Sequence, residues 1–451
     1  MTALQNPRTE RAAVRPARPA IAPEVLLAAI AAGGLAVLGL WWQGTNFVYG
    51  WGSWLTNAGR LTGLLAGWTV LVLLALMARV PALERGVGAD RLANWHSSGG
   101  RYVVFLAVAH TLLIIWGYAV TAGTGVVSET STIVLTYPDV LMATVALGLF
   151  VLIGVVSARA ARRRMSYETW HLVHLYTYLA IALTFAHQFA NGADFTDPLI
   201  RWAWGGAYLV VGVVLVWFRI VTPVRAAFRH RLRVDGVVRE GDDVISVHVV
   251  GRDLERLRAE PGQFFKWRFL TRELWWAANP YSLSAAPTRH GLRITVKTAG
   301  AHSAALADLR PGTSVVAEGP YGAFTAARRT RRKVLLIGVG VGITPVRALF
   351  ESVSAGAGEL TLLYRARGVD DLVLRAEIDR IAGARGAQVH YLLGPRGTEQ
   401  LSAARLMRLV PDLASHDVFF CGPEALAAEL RRSLRAAGVP SKHIHHESFV
   451  F

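Results

Sequence analysis

Five of the fourteen histidines lie in the apolar first half of the chain, at a spacing suited to holding a metal-containing cofactor. They are His96, His110, His171, His174 and His187. Ionisable side chains at membrane depth are costly and mark functional sites. His96 and His110 are fourteen residues apart, which on a helix returns to within about 40° of the same face, some 21 Å along the axis. His174 and His187 are thirteen apart, a rise of about 19.5 Å.

If the two helices that carry these residues lie side by side, one histidine of each helix faces the other at an inner level. The remaining two face each other at an outer level. Imidazoles facing each other across a gap are typical axial ligands of six-coordinate haem iron. The predicted iron ligands of two haem b groups are His96, His110, His174 and His187. The thirteen-residue spacing fits poorly, because an ideal helix turns about 220° over it; a bulge, a bend or an oblique haem would reconcile it. The competing interpretation is polar contacts between helices, which we favour for His171.

The elements that must position these histidines are apolar segments long enough to cross a bilayer, whose core requires about 20 residues per helix. The chain is 53% apolar and only 18% charged, which excludes an ordinary soluble enzyme and a disordered chain. Six segments lack Lys, Arg, Asp and Glu and predict a six-helix membrane bundle. They are Val25–Trp42, Leu61–Ala78, Tyr102–Val127, Val140–Ala158, His171–Ala190 and Trp202–Phe218. The first is too long for a signal peptide.

The net charge of +17 is concentrated in alternate loops. Arginines precede the first segment, lie between the second and third and between the fourth and fifth, and follow the sixth, whereas the other loops carry little beyond Arg60 and Arg201. This pattern predicts a multi-pass protein of the plasma membrane with both termini cytoplasmic. A topology signal explains the charge better than nucleic-acid binding. Arg60 and Arg101 are candidates for pairing with a haem propionate, or are simple interfacial charges.

Beyond residue 229 the sequence predicts two further folds. We predict a disordered tail over 1–20, the membrane domain over 21–222, an antiparallel β-barrel over 226–327 and an α/β domain with a parallel sheet over 328–451. Predicted barrel strands are Val244–Val250, Phe264–Phe269, Leu292–Lys297 and Ser314–Ala317. Predicted strands of the parallel sheet are Val334–Ile337, Thr361–Tyr364, Val389–Leu393 and Val418–Cys421. The single cysteine, Cys421, excludes an internal disulfide and a four-cysteine iron–sulfur cluster.

The barrel contains a segment suited to a flavin. Tyr281 and Ser282, at a strand end, can lay an aromatic ring beside a flavin while the hydroxyl bonds a ring nitrogen or oxygen. Downstream, the segment 297–303 leads into a helix, of which we predict Ser303 to be the N-cap, with free N–H groups for a pyrophosphate. Each signal alone is weak, because such residues in a barrel are usually packing residues.

The α/β domain contains a stronger signal for a dinucleotide. Glycines at 338, 340 and 342 follow a buried strand and precede Pro345, which suits the first turn of a helix. The usual acidic residue for the ribose hydroxyl does not follow. Arg365 and Arg367 end the next strand instead, where an arginine can accept a 2′-phosphate, which favours NADPH over NADH. The alternative for both is solvated loop charge. Cys421, Gly422 and Pro423 end a strand at the carboxyl edge, where ligands bind in open α/β sheets.

With these segments in view, the chain resembles the ferric reductase / NADPH oxidase family over roughly residues 25–451. The histidine spacings, the Asn279-Pro-Tyr-Ser-Leu-Ser-Ala-Ala-Pro287 segment, Gly319-Pro-Tyr-Gly322, the glycine–proline turn and the Cys-Gly-Pro segment carry the resemblance. Asn279 departs from the usual His or Arg. The resemblance implies FAD contacts at Tyr281, Ser282, Leu283, Ser284, Lys297, Gly300, His302 and Ser303. It implies NADPH contacts at Gly338, Gly340, Gly342, Thr344, Pro345, Arg365, Arg367, Gly422 and Pro423. It also implies that Phe449 shields the flavin and that Cys421 lies beside the nicotinamide.

The resulting hypothesis is a transmembrane oxidoreductase that moves electrons from NADPH, or alternatively NADH, through FAD and two haems to an extracytoplasmic ferric chelate or dioxygen. The alternative is a transporter or channel with a nucleotide-sensing module, against which the absence of Asp, Glu and Lys from the predicted spans argues. A weaker third hypothesis is a haem-containing, quinone-linked reductase with a membrane partner. The expected partners are the lipid bilayer and the small-molecule acceptor, with no nucleic acid. The sequence leaves homo-oligomerisation open.

Overall fold

A computed structural model describes residues 20–45, 48–158, 165, 167–395 and 399–449. The chain divides into two compact units, residues up to 215 and residues from 216 onward. The predicted tail 1–20 falls, except for residue 20, outside the described residues. The finer domain boundaries given above stay predictions.

The first unit is helical. Its helices are α1 Pro23–Gln43, α2 Gly50–Leu76, α3 Pro81–Val87, α4 Ala89–Ala122, α5 Val126–Thr136, α6 Val140–Ser157, α7 Tyr167–Asn191 and α8 Pro198–Val216. Glycines let α2 and α4 approach closely, because small residues at an interface bring backbones together. A Cβ built at Gly52 would lie 2.3 Å from Oγ1 of Thr121, and one at Gly117 would lie 2.4 Å from Oγ1 of Thr56.

Five stretches are long and apolar enough, by length and composition, to cross a membrane. They are Pro23–Gln43, Gly50–Leu76, Arg91–Ala122, Val140–Ser157 and Pro198–His230. The prediction of six spans is therefore not confirmed. The predicted span His171–Ala190 lies within α7, whose 25 residues include three histidines, a glutamine and an asparagine that lower its hydropathy. Two of those polar residues are the predicted iron ligands of this helix.

The second unit begins with a π-helical turn, Trp217–Val221, and α9, Thr222–His230, followed by six antiparallel strands. The strands are β1 Arg233–Gly241, β2 Val244–Val250, β3 Phe264–Phe269, β4 Asn279–Ser282, β5 Gly291–Lys297 and β6 Val315–Tyr321. They form two three-stranded sheets, β1-β2-β5 and β4-β3-β6, joined by isolated bridges around a core that includes Phe265, Trp267 and Ile294. The ladders do not close into one sheet, so a closed barrel is not confirmed. A short helix, α10, spans Ala301–Ala304.

The rest of the chain forms a five-stranded parallel sheet with helices between the strands, as the sequence predicts. Its elements are β7 Lys333–Val339, α11 Ile343–Ser352, β8 Leu360–Ala366, α12 Arg375–Arg385, β9 Gln388–Leu393, α13 Ala403–Leu409, β10 His416–Pro423, α14 Glu424–Ala436 and β11 Ile444–Phe449. The strand order is β11-β10-β7-β8-β9. From β7 the chain adds β8 and β9 on one side of the sheet and then β10 and β11 on the other, so the strand order reverses between β7 and β10. Open α/β sheets bind ligands at the carboxyl ends of the strands at such a reversal.

Candidate functional site

The four predicted iron ligands meet as two pairs in the first unit. The rings of His96 and His174 have centres 6.0 Å apart and planes at 69° to each other. The rings of His110 and His187 have centres 6.3 Å apart and planes at 68°. In both pairs one histidine comes from α4 and the other from α7. The pairing that the spacing suggested is therefore present at both levels.

Helical phase did not predict this meeting, because an ideal helix would turn the two α7 histidines away from each other. The structure overrides that expectation for a physical reason. α4 packs along α2 and α6 packs along α7, whereas α4 and α7 do not pack closely along their length. The imidazoles reach across the intervening space, so their positions depend on side-chain torsions as well as on the helical face of each Cα.

Carbonyl groups of α2 hold the two α4 histidines. Nδ1 of His110 donates to the carbonyl of Gly59 at 2.8 Å, and Nδ1 of His96 donates to the carbonyl of Leu73 at 3.3 Å. A carbonyl only accepts, so Nδ1 carries the proton in both rings and Nε2 presents its lone pair. A histidine that ligates a metal typically donates its other nitrogen in this way. Gly63 makes room for the ring, since a Cβ there would lie 2.7 Å from Nδ1 of His110.

The ring separations distinguish a bridging metal from a direct hydrogen bond. The centre of a five-membered ring with bonds of about 1.33 Å lies about 1.1 Å from its nitrogen. Two metal–imidazole bonds of about 2.0–2.1 Å then separate the ring centres by about 6.3–6.5 Å. A direct N–H···N hydrogen bond of about 2.9 Å would bring the centres to about 5.2 Å. The observed separations of 6.0 and 6.3 Å lie just below the bridged range and at its lower end, and both exceed the separation for a direct hydrogen bond, so these residues fit a metal held by imidazoles from both sides.

Three other candidates of the first unit lie apart from these pairs. His171 is exposed beside Trp170, and Arg101 is exposed with its guanidinium 3.4 Å from the hydroxyl of Ser98. Arg60 forms an ion pair of 2.5 Å with Asp194 and also donates to Asn57. Sequence reasoning missed Asp194 as the partner of Arg60. Its position as the first acidic residue after α7 could have indicated it.

The predicted flavin segment lies on β4 and the loop that follows it. Burial raises the pKa of Tyr281 to about 12, so its hydroxyl stays protonated at neutral pH. The hydroxyl of Ser282 is buried and has no hydrogen-bond partner among the described residues. Leu283 is buried in the core, and the hydroxyl of Ser284 accepts from Arg293 at 3.0 Å and from Thr295 at 2.8 Å. Of these side chains, Ser282 offers the unused polar atom that a bound flavin would pair with.

The prediction that Ser303 is a helix N-cap is wrong. Gly300 is the N-cap of α10, and Ser303 is the third residue of the helix. The Gly300 amide donates to the hydroxyl of Ser303, and that hydroxyl donates to the Gly300 carbonyl, both at 3.0 Å. A serine three residues after the cap folds back in the manner of a capping box. Of the neighbouring candidates, Lys297 pairs with Asp243 at 2.7 Å, and His302 lies edge-on to Trp276.

The glycine turn lies between the carboxyl ends of β7 and β10. Gly340 has a φ of 56°, which favours glycine. A Cβ at Gly342 would lie 2.3 Å from the carbonyl oxygen of Cys421, and one at Gly338 would lie 2.8 Å from Ile343. The turn therefore needs glycine, because a side chain at Gly342 would meet β10 and one at Gly338 would meet α11. A glycine turn between a strand and a helix is typical of phosphate-binding turns. Thr344 is buried and donates to the carbonyl of Val341, and Pro345 lies in the first turn of α11, as predicted.

The remaining candidates of the parallel sheet differ in whether their side chains are exposed to a ligand. Arg365 is buried and donates to the carbonyl of Pro395 at 2.7 Å, whereas Arg367 is exposed. Cys421 is completely buried, which raises the pKa of its thiol well above the usual value. Gly422 packs against Val339 of β7, and Pro423 pairs in register with Phe449 of β11. The roles of these residues toward a nucleotide stay predictions.

Sequence reasoning missed a charged network behind the flavin segment. Arg293 on β5 binds Glu377 on α12 through two hydrogen bonds, of 2.6 and 2.9 Å, and Arg347 on α11 lies 2.9 Å from the same carboxylate. Both arginines are buried. The available signal was Arg293 itself, a charged residue in the otherwise apolar run of β5.

Comparison with known families gives two matches along this chain. Residues 62–185 match the model of the ferric reductase like transmembrane component, and residues 336–432 match that of the oxidoreductase NAD-binding domain. The first match contains His96, His110 and His174 and ends two residues before His187, and the second contains the glycine turn and the Cys-Gly-Pro segment.

Individual relatives match up to about half of the chain. The ferredoxin reductase component of the 3-ketosteroid-9-alpha-monooxygenase of Mycolicibacterium smegmatis is 34% identical over 231 residues, covering 48% of this chain and 65% of the relative. The ferredoxin–NADP reductase B of Sorangium cellulosum is 33% identical over 190 residues, covering 38% of this chain and 77% of the relative. Among solved structures, the FAD/NAD-binding domain of a Vibrio cholerae nitric oxide dioxygenase is 24% identical, with a TM-score of 0.42, covering 49% of this chain and 99% of that one.

Proposed function

The chain belongs to the ferric reductase / NADPH oxidase-like family, in which a ferric-reductase-like transmembrane component is fused to a ferredoxin-reductase-like module, and on that premise we propose that it is a transmembrane electron carrier. It takes electrons from NADPH through FAD and two b-type haems to an acceptor across the membrane, a ferric chelate or dioxygen. The observation that carries this proposal is the pair of facing imidazole couples, His96 with His174 and His110 with His187.

Each haem would be held by one histidine of α4 and one of α7. When bound, haem supplies one-electron chemistry whose potential depends on its axial ligands and their hydrogen bonds. The chain's contribution is to fix the ligands: α2 carbonyls orient the α4 imidazoles, and the glycines of α2 keep that helix close enough to do so. The two levels would form a path for electrons across the bilayer.

The second unit would hold FAD and NADPH. FAD, when bound, accepts a hydride and passes on single electrons, which joins a two-electron donor to one-electron carriers. Ser282 supports this assignment with its unused buried hydroxyl, and the glycine turn supports a dinucleotide at the reversal between β7 and β10. The exposed Arg367 would accept the 2′-phosphate, which favours NADPH, with NADH as the alternative donor.

We also propose a plasma-membrane location with both termini cytoplasmic. Arginines in the loops before α4 and after α8 support this orientation, because positive charges flank spans on the cytoplasmic side. The second unit would then face the cytosolic supply of NADPH, and the acceptor would meet the chain on the opposite side.

A visible spectrum of the full chain, purified in detergent after haem-replete expression, tests the proposal. We expect a Soret band of low-spin haem, about two haems and one flavin per chain, and complete haem reduction by NADPH under anaerobic conditions. A folded protein without a Soret band contradicts the proposal. A protein with both cofactors whose haems stay oxidised when NADPH reduces the flavin contradicts the electron path.

The acceptor is identified by a separate assay. NADPH oxidation is measured with ferric citrate and with dioxygen, and the oxygen assay includes a cytochrome c readout with and without superoxide dismutase. Ferric reduction without a dismutase-sensitive signal identifies a ferric reductase. A dismutase-sensitive signal that persists without iron identifies a superoxide-forming oxidase.

A further inference from the structure

A half-buried carboxylate, Glu377, connects the flavin segment to the helix that follows the glycine turn. Glu377 lies in the first turn of α12 and has no place in any of the predicted cofactor contacts. Its two oxygens receive Nη1 and Nη2 of Arg293 at 2.6 and 2.9 Å. Nε of Arg347, on α11, lies 2.9 Å from one of the same oxygens and forms an ion pair with it, without hydrogen-bond geometry. The carboxylate thus hydrogen-bonds one arginine and pairs electrostatically with a second one from another element.

The arginines extend this connection to the flavin segment. Arg293 donates through Nε to the hydroxyl of Ser284 and through Nη2 to its carbonyl, each at 3.0 Å. Arg347 binds Glu351 at 2.6 Å, and that carboxylate accepts the amide of Ala286 at 3.0 Å. Ser284 and Ala286 directly follow the pair Tyr281 and Ser282. The loop after β4 is therefore bonded to both arginines that Glu377 orients.

The connection also reaches the glycine turn. Arg347 is in the second turn of α11, five residues after Gly342, and α11 begins where the turn ends. Because a helix is rigid, fixing the Arg347 side chain also fixes the first turn of α11, which adjoins the glycine turn. Glu377 therefore lies between two segments that must hold two different cofactors in register.

The geometry favours a positioning role over simple stabilisation. Two parallel bonds between a guanidinium and a carboxylate fix direction as well as distance. Such ion pairs are weak sources of net stability, because desolvation of the buried arginines and solvent screening of the half-buried carboxylate offset much of the attraction. Burial raises the pKa of Glu377, but the hydrogen bond and charge of Arg293, with the charges of Arg347 and Arg380, lower it further, so the carboxylate stays ionised.

We propose that Glu377 is a positioning residue for hydride transfer, holding the flavin segment 281–284 at a fixed distance from the glycine turn 338–342. This inference rests on the proposed function. The step is NADPH + H⁺ + FAD → NADP⁺ + FADH₂: one hydride, with its two electrons, leaves the nicotinamide C4, and solvent supplies the proton. Displacing the partners by about 1 Å can slow such a transfer about 100-fold.

The test compares Glu377→Gln with Asp379→Asn in the full chain. Asp379 lies on the same helix, and its carboxylate makes an exposed ion pair with Arg375, so the same chemical change there is the matched control. Stopped-flow measurement of flavin reduction gives the limiting rate and the NADPH dissociation constant separately. Hydrogen exchange at the Ala286 amide in ligand-free protein reports the network without any cofactor. Glu377→Asp keeps the charge but shortens the reach.

We expect Glu377→Gln to lower the limiting rate at least about tenfold, with the dissociation constants of FAD and NADPH changed less than about twofold and faster exchange at Ala286. Glu377→Asp should recover part of the rate, and Asp379→Asn should equal the wild type. An unchanged rate in a folded Glu377→Gln protein, or equal losses of rate and affinity, overturns the proposal. Failure of both Glu377 variants to fold also overturns the proposal, because Glu377 would then be required for stability and not for positioning. If NADPH fails to reduce the wild-type flavin, the proposed function itself is wrong.

Discussion

Histidines that are at least half-buried cluster in both units, but they face different partners. In the first unit His110 faces His187 across the space between α4 and α7. In the second unit His443 lies 2.9 Å from a carboxylate oxygen of Asp417, and His445 lies 3.6 Å from the same oxygen. Asp417 is fully buried at the amino end of β10 and also accepts the backbone amides of Thr330 and Arg331.

The two clusters differ in the group that faces an imidazole. In the second cluster His443 faces a carboxylate, which accepts from its Nδ1 at 2.9 Å and satisfies that nitrogen within the protein. Two imidazoles at 6.3 Å are too far apart to complete each other's bonding, and they match the spacing of ligands on a shared metal. The amino end of a parallel sheet is also the edge opposite to its ligand site. Under the proposed function the first cluster would bind a cofactor, whereas the second cluster would stabilise the sheet.

The largest expected effect comes from removing one imidazole of the first cluster. His110→Ala should lower the haem content from about two to about one per chain, because iron with one axial ligand left is bound weakly. The pyridine haemochrome assay measures this ratio. His171→Ala is the control, since that histidine is exposed on α7 outside both pairs. Equal haem content in the His110→Ala protein and the wild type would make the assignment of this pair wrong.

The second cluster is broken by Asp417→Asn, which should destabilise the second unit by about 3–5 kcal/mol, since one partner of a buried ionic cluster is lost. Hydrogen exchange of the β10 amides in the full chain measures the loss. Haem content should not change. An exchange pattern like that of the wild type would show that the cluster is not structural.

The same variant gives a pH dependence. Burial raises the pKa of Asp417, but hydrogen bonds from Thr330, Arg331 and His443 lower it further, so the net pKa lies below the usual value. A depressed carboxyl pKa adds stability that is present above about pH 4 and is lost as the pH falls through the folded-state pKa. The difference in stability between the wild type and Asp417→Asn should therefore be greatest at neutral pH and shrink below about pH 4. A difference that is constant down to pH 3 would exclude ionised Asp417 as its source.

A smaller effect is expected from disturbing the support of one α4 histidine. Gly63→Ala introduces a Cβ 2.7 Å from Nδ1 of His110 and should push the ring from its hydrogen bond with the Gly59 carbonyl. Loss of such support costs about 10- to 100-fold in metal affinity. Titration of haem into apo-protein, read as quenching of tryptophan fluorescence, measures it. Gly148→Ala is the control, because a Cβ there meets nothing within 4 Å.

Patterns that are local in sequence could be predicted, and those that depend on distant partners could not. The limits of β2 and β3 were predicted to the residue, because alternating or continuous apolar runs end at turn residues. The parallel sheet followed from apolar runs separated by helical segments. β11 was missed, because its two histidines and a glutamate resemble a surface loop until Asp417 and Arg431 provide partners.

The candidate site shows the same division. The helical rise between the histidines predicted pairs at two levels, although the helical phase of His174 and His187 argued against the pairing. The carbonyl partners on α2 and the network at Glu377 could not be predicted, because Arg293 and Glu377 are 84 residues apart and no local rule connects them. The Ser303 cap was misassigned by three residues, because capping residues at the first and fourth positions have similar sequence signatures.

The smallest expected effects concern two serines of the flavin segment, one whose hydroxyl is hydrogen-bonded and one whose hydroxyl is not. Ser284→Ala removes a hydroxyl that accepts from Arg293 and Thr295 and should cost about 1–3 kcal/mol, because buried donors are left unpaired. Ser282→Ala removes a hydroxyl without a partner among the described residues, so ligand-free stability should change by less than about 0.5 kcal/mol.

The order of the two effects should reverse for FAD binding, where Ser282→Ala should have the larger effect. Ser282→Ala should weaken FAD binding about two- to tenfold, since a hydrogen bond to a buried ligand contributes about 0.5–1.5 kcal/mol. Thermal unfolding without FAD and equilibrium titration with FAD measure the two effects on the same proteins. If Ser282→Ala lowers ligand-free stability as much as Ser284→Ala, the Ser282 hydroxyl has a protein partner and does not mark the flavin site.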